Sequence, residues 1–173
     1  MQSVAFFRNL NLGHPGSPDG TGLVQAFADA GGLSVRSFQT NGTVIFTADD
    51  PVATANRARA LLSDRYDDAV LVRSADRVAQ IVADFPVVEA ESDHYREMVV
   101  LYDEPSAGIR SAEAMARDGL VQLLRVDDDA AFGLVWKPKN TAGNMTAVIE
   151  RMLGTAGTSR TLGTLQRLSR QLT

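Results

Sequence analysis

The dipeptide Asn41-Gly42 constrains this chain more than any other two residues. Asn-Gly supplies the two positive-φ positions that a type I′ turn demands, and the twist of that turn matches the twist of paired strands. Leu33–Thr40 and Thr43–Thr47, which carry Val, Phe, Ile and Thr, flank it and read as the two strands of a hairpin. A two-residue loop would set Phe38 opposite Ile45 and Ser37 opposite Phe46. Apolar side chains then fall on both faces of the ribbon, so both faces are expected to be covered at least in part.

Elements on either side of the hairpin follow from periodicity and punctuation. Ser3–Arg8 reads as a buried strand, and Asn9–Gly20 as a loop dense in Gly, Pro, Asn and Asp. Leu23, Phe27 and Ala30 form a helical face that ends at Gly31-Gly32. Asp50-Pro51 starts a second helix, with Asp as N-cap and Pro at the first helical position, carrying Val52, Ala55, Ala58, Leu61 and Leu62. Asp67-Asp68 turns the chain into a strand at Ala69–Arg73. Ser74 caps a helix striped by Val78, Ile81, Val82 and Phe85 and stopped by Pro86. The first 73 residues thus run β-α-β-β-α-β, the split βαβ or ferredoxin-like order.

The second half reads as a smaller β-α-β-β echo without internal sequence identity. It comprises a strand at Glu97–Tyr102, a helix at about Ala107–Arg117, and strands at Leu120–Val126 and Ala131–Trp136. Two terminal helices follow. The first carries Met145, Val148, Ile149, Met152 and Leu153 and ends at Gly154; the last carries Leu162, Leu165, Leu168 and Leu172, with Thr158 or Ser159 as its cap. The expected class is α+β with mainly antiparallel sheets. Two halves are expected, 1–88 and 96–173, joined through the acidic Glu89–Tyr95, with one compact unit as the alternative.

Composition narrows the function. A chain of 173 residues can bury about 70% of its unfolded surface, so it needs no staples. It has no cysteine, which removes disulfides, thiolate metal sites and cysteine nucleophiles together. No apolar run approaches the roughly 20 residues of a membrane span. Met1-Gln2-Ser3 leads straight into a strand, so no secretory signal and a cytoplasmic location are expected. A net charge of −4 argues against general nucleic-acid binding. Yet residues 151–173 hold Arg151, Arg160, Arg167 and Arg170 and no acid.

The established motifs for nucleotide, metal and serine-hydrolase chemistry are absent, so no catalytic residue and no cofactor are assigned. His14 and His94 are the only histidines, too few for a three-histidine metal site. Gly13–Gly22 sits between a strand and a helix, where free amides can receive an anion. Two prolines, Asp19 and the lack of lysine favour a plain connecting loop. His94 among Glu91, Asp93 and Glu97 could act as a base, but a solvated junction explains it better. Asp127-Asp128-Asp129 reads as a hairpin turn rather than a cation site. Trp136 beside Lys137 and Lys139 could stack a base, although a packed strand end is the simpler reading. Thr158, Ser159 and Arg160 at a helix start would combine hydroxyls, a helix dipole and a guanidinium toward an anion; plain capping is the alternative.

Two segments also carry a resemblance. Val4-Ala5-Phe6-Phe7-Arg8-Asn9-Leu10-Asn11-Leu12-Gly13 and Ser37-Phe38-Gln39-Thr40-Asn41-Gly42-Thr43-Val44-Ile45-Phe46 resemble the opening of a widespread bacterial family, domain of unknown function 1697. Arg8, Asn11, Gly13, Gln39, Val44 and Phe46 match its pattern directly, and Thr158, Arg160 and Thr164 match its tail. Asn9 stands where the family has glycine, and Leu162-Gly163 where it has Trp-Asn. The resemblance implies an α+β fold with ferredoxin-like halves and supplies no reaction. Together these readings lead to one expectation: Arg8, Asn11, Gln39, Thr158 and Arg160 receive a small anionic or nucleotide-like ligand in a non-catalytic binding module. Nucleic-acid binding through the Arg-rich tail, or homodimerisation through strand edges or the last helix, are the alternatives.

Overall fold

A computed structural model describes residues 1–104 and 117–172. It divides into two units, one formed by Met1–Val78 with the residues from Leu168 onward, the other by Ala79–Arg167.

The first unit is built on β1 (Gln2–Phe7), β2 (Leu33–Phe38), β3 (Thr43–Thr47) and β4 (Val70–Ser74), in the order β2-β3-β1-β4. Every neighbouring pair is antiparallel, as the split βαβ order requires. The crossover helices are α1 (Gly20–Asp29) and α2 (Pro51–Leu61). Both start where the sequence signals a cap. Asp19 Oδ1 accepts from the Gly22 amide at 2.7 Å, and Asp50 Oδ1 from the Ala53 amide at 3.0 Å. Gly31, at φ 92°, ends α1 in the left-handed conformation that L side chains avoid.

Leu23 and Phe27 of α1 and Ala55 and Ala58 of α2 cover one sheet face, meeting Ala5, Phe7, Val44 and Phe46. The Phe7 ring lies edge-on to Phe27 at 6.0 Å and to Tyr66 at 5.2 Å, and Phe46 reaches Phe27 at 4.8 Å. Each fully buried aromatic contributes on the order of 2–3 kcal/mol of hydrophobic stabilisation. Val4, Phe6 and Ile45 are buried as well, so both faces of the sheet are covered as its apolar pattern requires. On α2 the expected stripe is narrower than read. Val52 and Leu61 are 57% and 59% exposed, because Ala55, Ala58 and Leu62 define the packed face and these two flank it.

The hairpin forms, with a corrected register. Phe38 pairs with Thr43 and Ser37 with Val44, so the loop has four residues, Gln39 to Gly42, rather than two. The positive-φ positions are Gln39 (57°) and Gly42 (65°), not Asn41 and Gly42. The cause lies in the neighbouring chain. The Phe7 amide donates to Gly42 O and the Leu12 amide to Thr40 O, both at 2.8 Å. A Cβ on Gly42 would lie 2.8 Å from Leu10 Cβ and 2.9 Å from Phe7 Cβ, so only glycine fits beneath the first loop. The shift of two residues keeps every side chain on its expected face.

The second unit holds β5 (Arg96–Tyr102), β6 (Arg117–Asp118), β7 (Val121–Val126), β8 (Ala130–Val135) and β9 (Gly157–Thr161), in the order β6-β7-β8-β5-β9. The short β6 apart, β7-β8-β5-β9 repeats the order β2-β3-β1-β4. The second half is therefore a full ferredoxin-like set of strands and not the shortened echo read from sequence. The missing strand is β9, where a helix start was expected. Its five residues, Gly-Thr-Ser-Arg-Thr, offer no apolar alternation, and it is placed by backbone pairing with β5. Thr161, not Thr158 or Ser159, caps the following helix, accepting from the Thr164 amide at 3.2 Å. The helix expected at about 107–117 lies outside the described residues, except Arg117, which belongs to β6.

Among the described residues three further α-helices occur: α3 (Ala75–Ala83), α4 (Met145–Leu153) and α5 (Leu162–Ser169). The Ser74 hydroxyl accepts from the Arg77 amide at 3.1 Å at the start of α3. Asn144 caps α4, which ends at Gly154 with φ 66°. Met145, Ile149 and Leu153 of α4 pack on Val100, Tyr102, Ala131 and Val135. Among the described residues no helix is long and apolar enough to cross a membrane.

Candidate functional site

Strand β5 is the backbone of an open site in the second unit. Alternation places Arg96, Met98, Val100 and Tyr102 on one face, the face that α4 covers. Along that face the side chains pass from charged and exposed, through a half-buried thioether, to fully buried. Opposite Met98, β8 carries Gly133, and a Cβ there would lie 2.9 Å from both Sδ and Cε of Met145. The absent side chain is what lets the Met145 thioether lie on the sheet.

At the exposed end a cavity of about 290 Å³ opens between β5 and the start of α4. Its walls are Met98, Val135 and Met145 within, Tyr95 and Arg96 at the rim, and the hydroxyl residues Thr146 and Ser159 at the side. Asn144 Oδ1 accepts from the Ala147 amide at 3.0 Å, while the earlier amides of α4 have no partner within the helix. Two cations gather over one aromatic ring: Arg96 Cζ stands 4.6 Å from the Tyr95 centroid and Lys137 Nζ stands 5.1 Å from it. Each such contact at an exposed site is worth about 0.5–1 kcal/mol, enough to orient a long basic side chain.

The residues expected to bind a ligand are distributed differently. Arg8 Nη1 donates to Asp68 Oδ2 at 2.8 Å, so its charge is already matched by a carboxylate. Asn9 Nδ2 donates to the same oxygen at 3.0 Å, and Asp68 Oδ1 accepts from the Ala69 amide at 2.7 Å. Tyr66 Oη closes this cluster, 2.8 Å from both Arg8 O and Ala69 O. Burial, with the charge of Asp68 added, pushes the Tyr66 phenol well above its ordinary range. Asn11 and Gln39 are exposed, on the loop and turn that the Leu12–Thr40 backbone bond joins. Thr158 and Arg160 are buried in β9, where Arg160 Nη1 donates to Thr158 Oγ1 at 3.1 Å and to Ser159 O at 2.8 Å. Alternation turns this pair to the opposite sheet face, and the residue between them, Ser159, lines the cavity.

Other sequence candidates take structural roles. Asp19 already occupies the start of α1, where an anion would have bound. Trp136 is buried and its Nε1 donates to Asp93 Oδ1 at 2.7 Å; its neighbour Lys137 is the residue that reaches an aromatic ring. The three aspartates turn β7 into β8, with Asp127 Oδ2 accepting from Arg125 Nη2 at 2.7 Å. His94 Nδ1 lies 2.9 Å from Ser92 Oγ. Among the described residues no group of three metal-ligating side chains occurs.

Sequence reasoning passed over Tyr95, Arg96 and Met98, and it took Ser159, with Thr158 and Arg160, as part of a helix start rather than a strand. The usable signal was the alternation of Arg96, Met98 and Val100 along a strand. It acquires meaning only once Gly157–Thr161 is known to pair beside it.

Comparison with known proteins agrees with this architecture. The fold is similar to that of a conserved bacterial protein, SP0830, from Streptococcus pneumoniae, with a TM-score of 0.70 at 16% identity, over 99% of this chain and 98% of that one. No curated protein matches the sequence. A family model described as protein of unknown function (DUF1697) matches residues 1–132, which include both opening motifs and the first three strands of the second sheet as far as β8. With its opening motifs, its strand orders and that match in agreement, the chain belongs to the DUF1697 family.

Proposed function

We propose that this protein is a non-catalytic binding module for a small anionic ligand, held in the cavity between β5 and α4. One observation carries the reading: Arg96 and Tyr95 line the cavity, and the Tyr95 ring holds the cations of both Arg96 and Lys137 against it. The hydroxyls of Thr146 and Ser159 and the first amides of α4 add donors on the other side. Among the described residues that line the cavity none is acidic, so an anion entering past Arg96 meets no carboxylate there. The volume lies at the small end of ligand pockets, which are about 300–1,000 Å³, so the ligand is a small molecule.

Thermal unfolding with and without inorganic phosphate tests the proposal. At about 100 times Kd the ligand adds roughly 2.7 kcal/mol, which raises Tm by roughly 5–10 °C for a chain of this size. Arg96→Gln abolishes the rise and leaves the unliganded Tm in place, since Arg96 is exposed. An equal rise in Arg96→Gln and the parent protein would remove the cavity from consideration.

A further inference from the structure

Accepting the anion site of the preceding section, the polarity gradient of its lining goes on to specify the rest of the ligand. Phosphate alone would need only the rim. The cavity continues inward from Arg96 over Met98, Val135 and Met145, and these three offer no hydrogen-bonding side chain. Met145 and Val135 are buried, so this inner wall is rigidly placed, whereas Met98 is half-buried and open to an occupant. Thioethers are polarisable and flexible, and they favour contact with aromatic rings at about 5 Å. A charged rim above a methionine-lined wall is complementary to a molecule with the same gradient.

We infer that the ligand is an anion carrying an aromatic ring, its phosphate or carboxylate at Arg96 and its ring against Met98 and Met145. Tyr95 does not stack that ring. Its own face is engaged by Arg96 and Lys137, and it serves to hold the two cations at the mouth.

Calorimetric titration with phenyl phosphate, inorganic phosphate and benzyl alcohol separates the claims. The prediction is that phenyl phosphate binds at least about tenfold more tightly than inorganic phosphate, the effect of burying roughly 60 Å² of apolar surface. Benzyl alcohol, which has the ring without the charge, binds more weakly than phenyl phosphate by at least about the same factor. Met98→Gln reduces the preference for phenyl phosphate over inorganic phosphate to within about twofold, and Met98→Leu retains the preference. Equal affinity for the two phosphates overturns the ring assignment while leaving the anion site intact. Binding of neither phosphate, or equal binding by Arg96→Gln, overturns the anion site and the ring assignment together. Should Met98→Gln fail to fold, the comparison of the two phosphates on the parent protein and on Met98→Leu decides.

Discussion

The two units share a strand order and differ in how their first strands begin. In β1 the residues Ser3, Ala5 and Phe7 are all buried, the last two beneath α1 and α2. In β5 the equivalent alternation starts with exposed Arg96 and reaches full burial only at Val100. The first unit also matches its polar side chains internally. Asp68 gathers Arg8, Asn9 and the Ala69 amide, and Arg57 Nε and Nη2 donate to Ala30 O at 3.1 and 2.9 Å. The second unit brings Arg96 and Lys137 together over a ring at the edge of an open cavity. One topology thus supports a sealed sheet and an open one, and the difference lies in a few side chains.

Glycine substitutions break this comparison most strongly. Gly42 and Gly119 both have positive φ, 65° and 54°, but Gly42 lies under Leu10 and Phe7, while among the described residues nothing stands within 4 Å of a Cβ on Gly119. Gly42→Ala is expected to cost about 3 kcal/mol, combining backbone strain with overpacking. Gly119→Ala carries only the backbone part, about 1 kcal/mol. Urea denaturation of the two variants measures the difference, which is the packing contribution of the sealed unit.

Asp68→Ala comes next. It removes the carboxylate that Arg8, Asn9 and the Ala69 amide share, and a loss of about 2 kcal/mol is expected in the same assay. Asp68→Asn retains one of the two acceptor oxygens and is expected to cost about half as much.

The Tyr66 phenol gives a smaller, pH-dependent effect. Its folded-state pKa is raised, so the folded protein keeps a proton that the unfolded chain releases near pH 10. The stability associated with the neutral phenol is therefore complete below about pH 10 and declines as pH rises beyond it. Tyr66→Phe removes this part of the alkaline decline, which Tm measurements between pH 8 and about 11 resolve. Tyr102 Oη, 3.1 Å from Ala130 O, holds the β7–β8 turn of the second unit in a similar way.

Much of the fold was legible because apolar periodicity and caps carry it. Asp50-Pro51, Ser74 and Gly154 marked helix ends that the structure retains. The Asn41-Gly42 turn was legible as a turn but not in register, since its register depends on Phe7 and Leu12, about thirty residues earlier in the chain. Strand β9 was hidden because its residues are polar or small and its pairing is wholly through the backbone. The site suffered most from that omission. Taking Arg160 as a helix-start residue pointed to its guanidinium, whereas strand alternation turns it away and presents Ser159. Arg8 drew notice as a motif residue, but its partner Asp68 lies sixty positions away and cannot be paired with it by local reasoning.

The location of the ligand site is the claim on which the rest depends, and amide chemical shifts during titration with phenyl phosphate test it directly. Shifts are expected to centre on Arg96, Met98, Met145, Thr146 and Ser159, with those of Arg8, Asn11 and Gln39 unmoved. Shifts centred on Arg8, Asn11 and Gln39 instead would contradict this location and place recognition in the first unit, beside the Arg8–Asp68 pair.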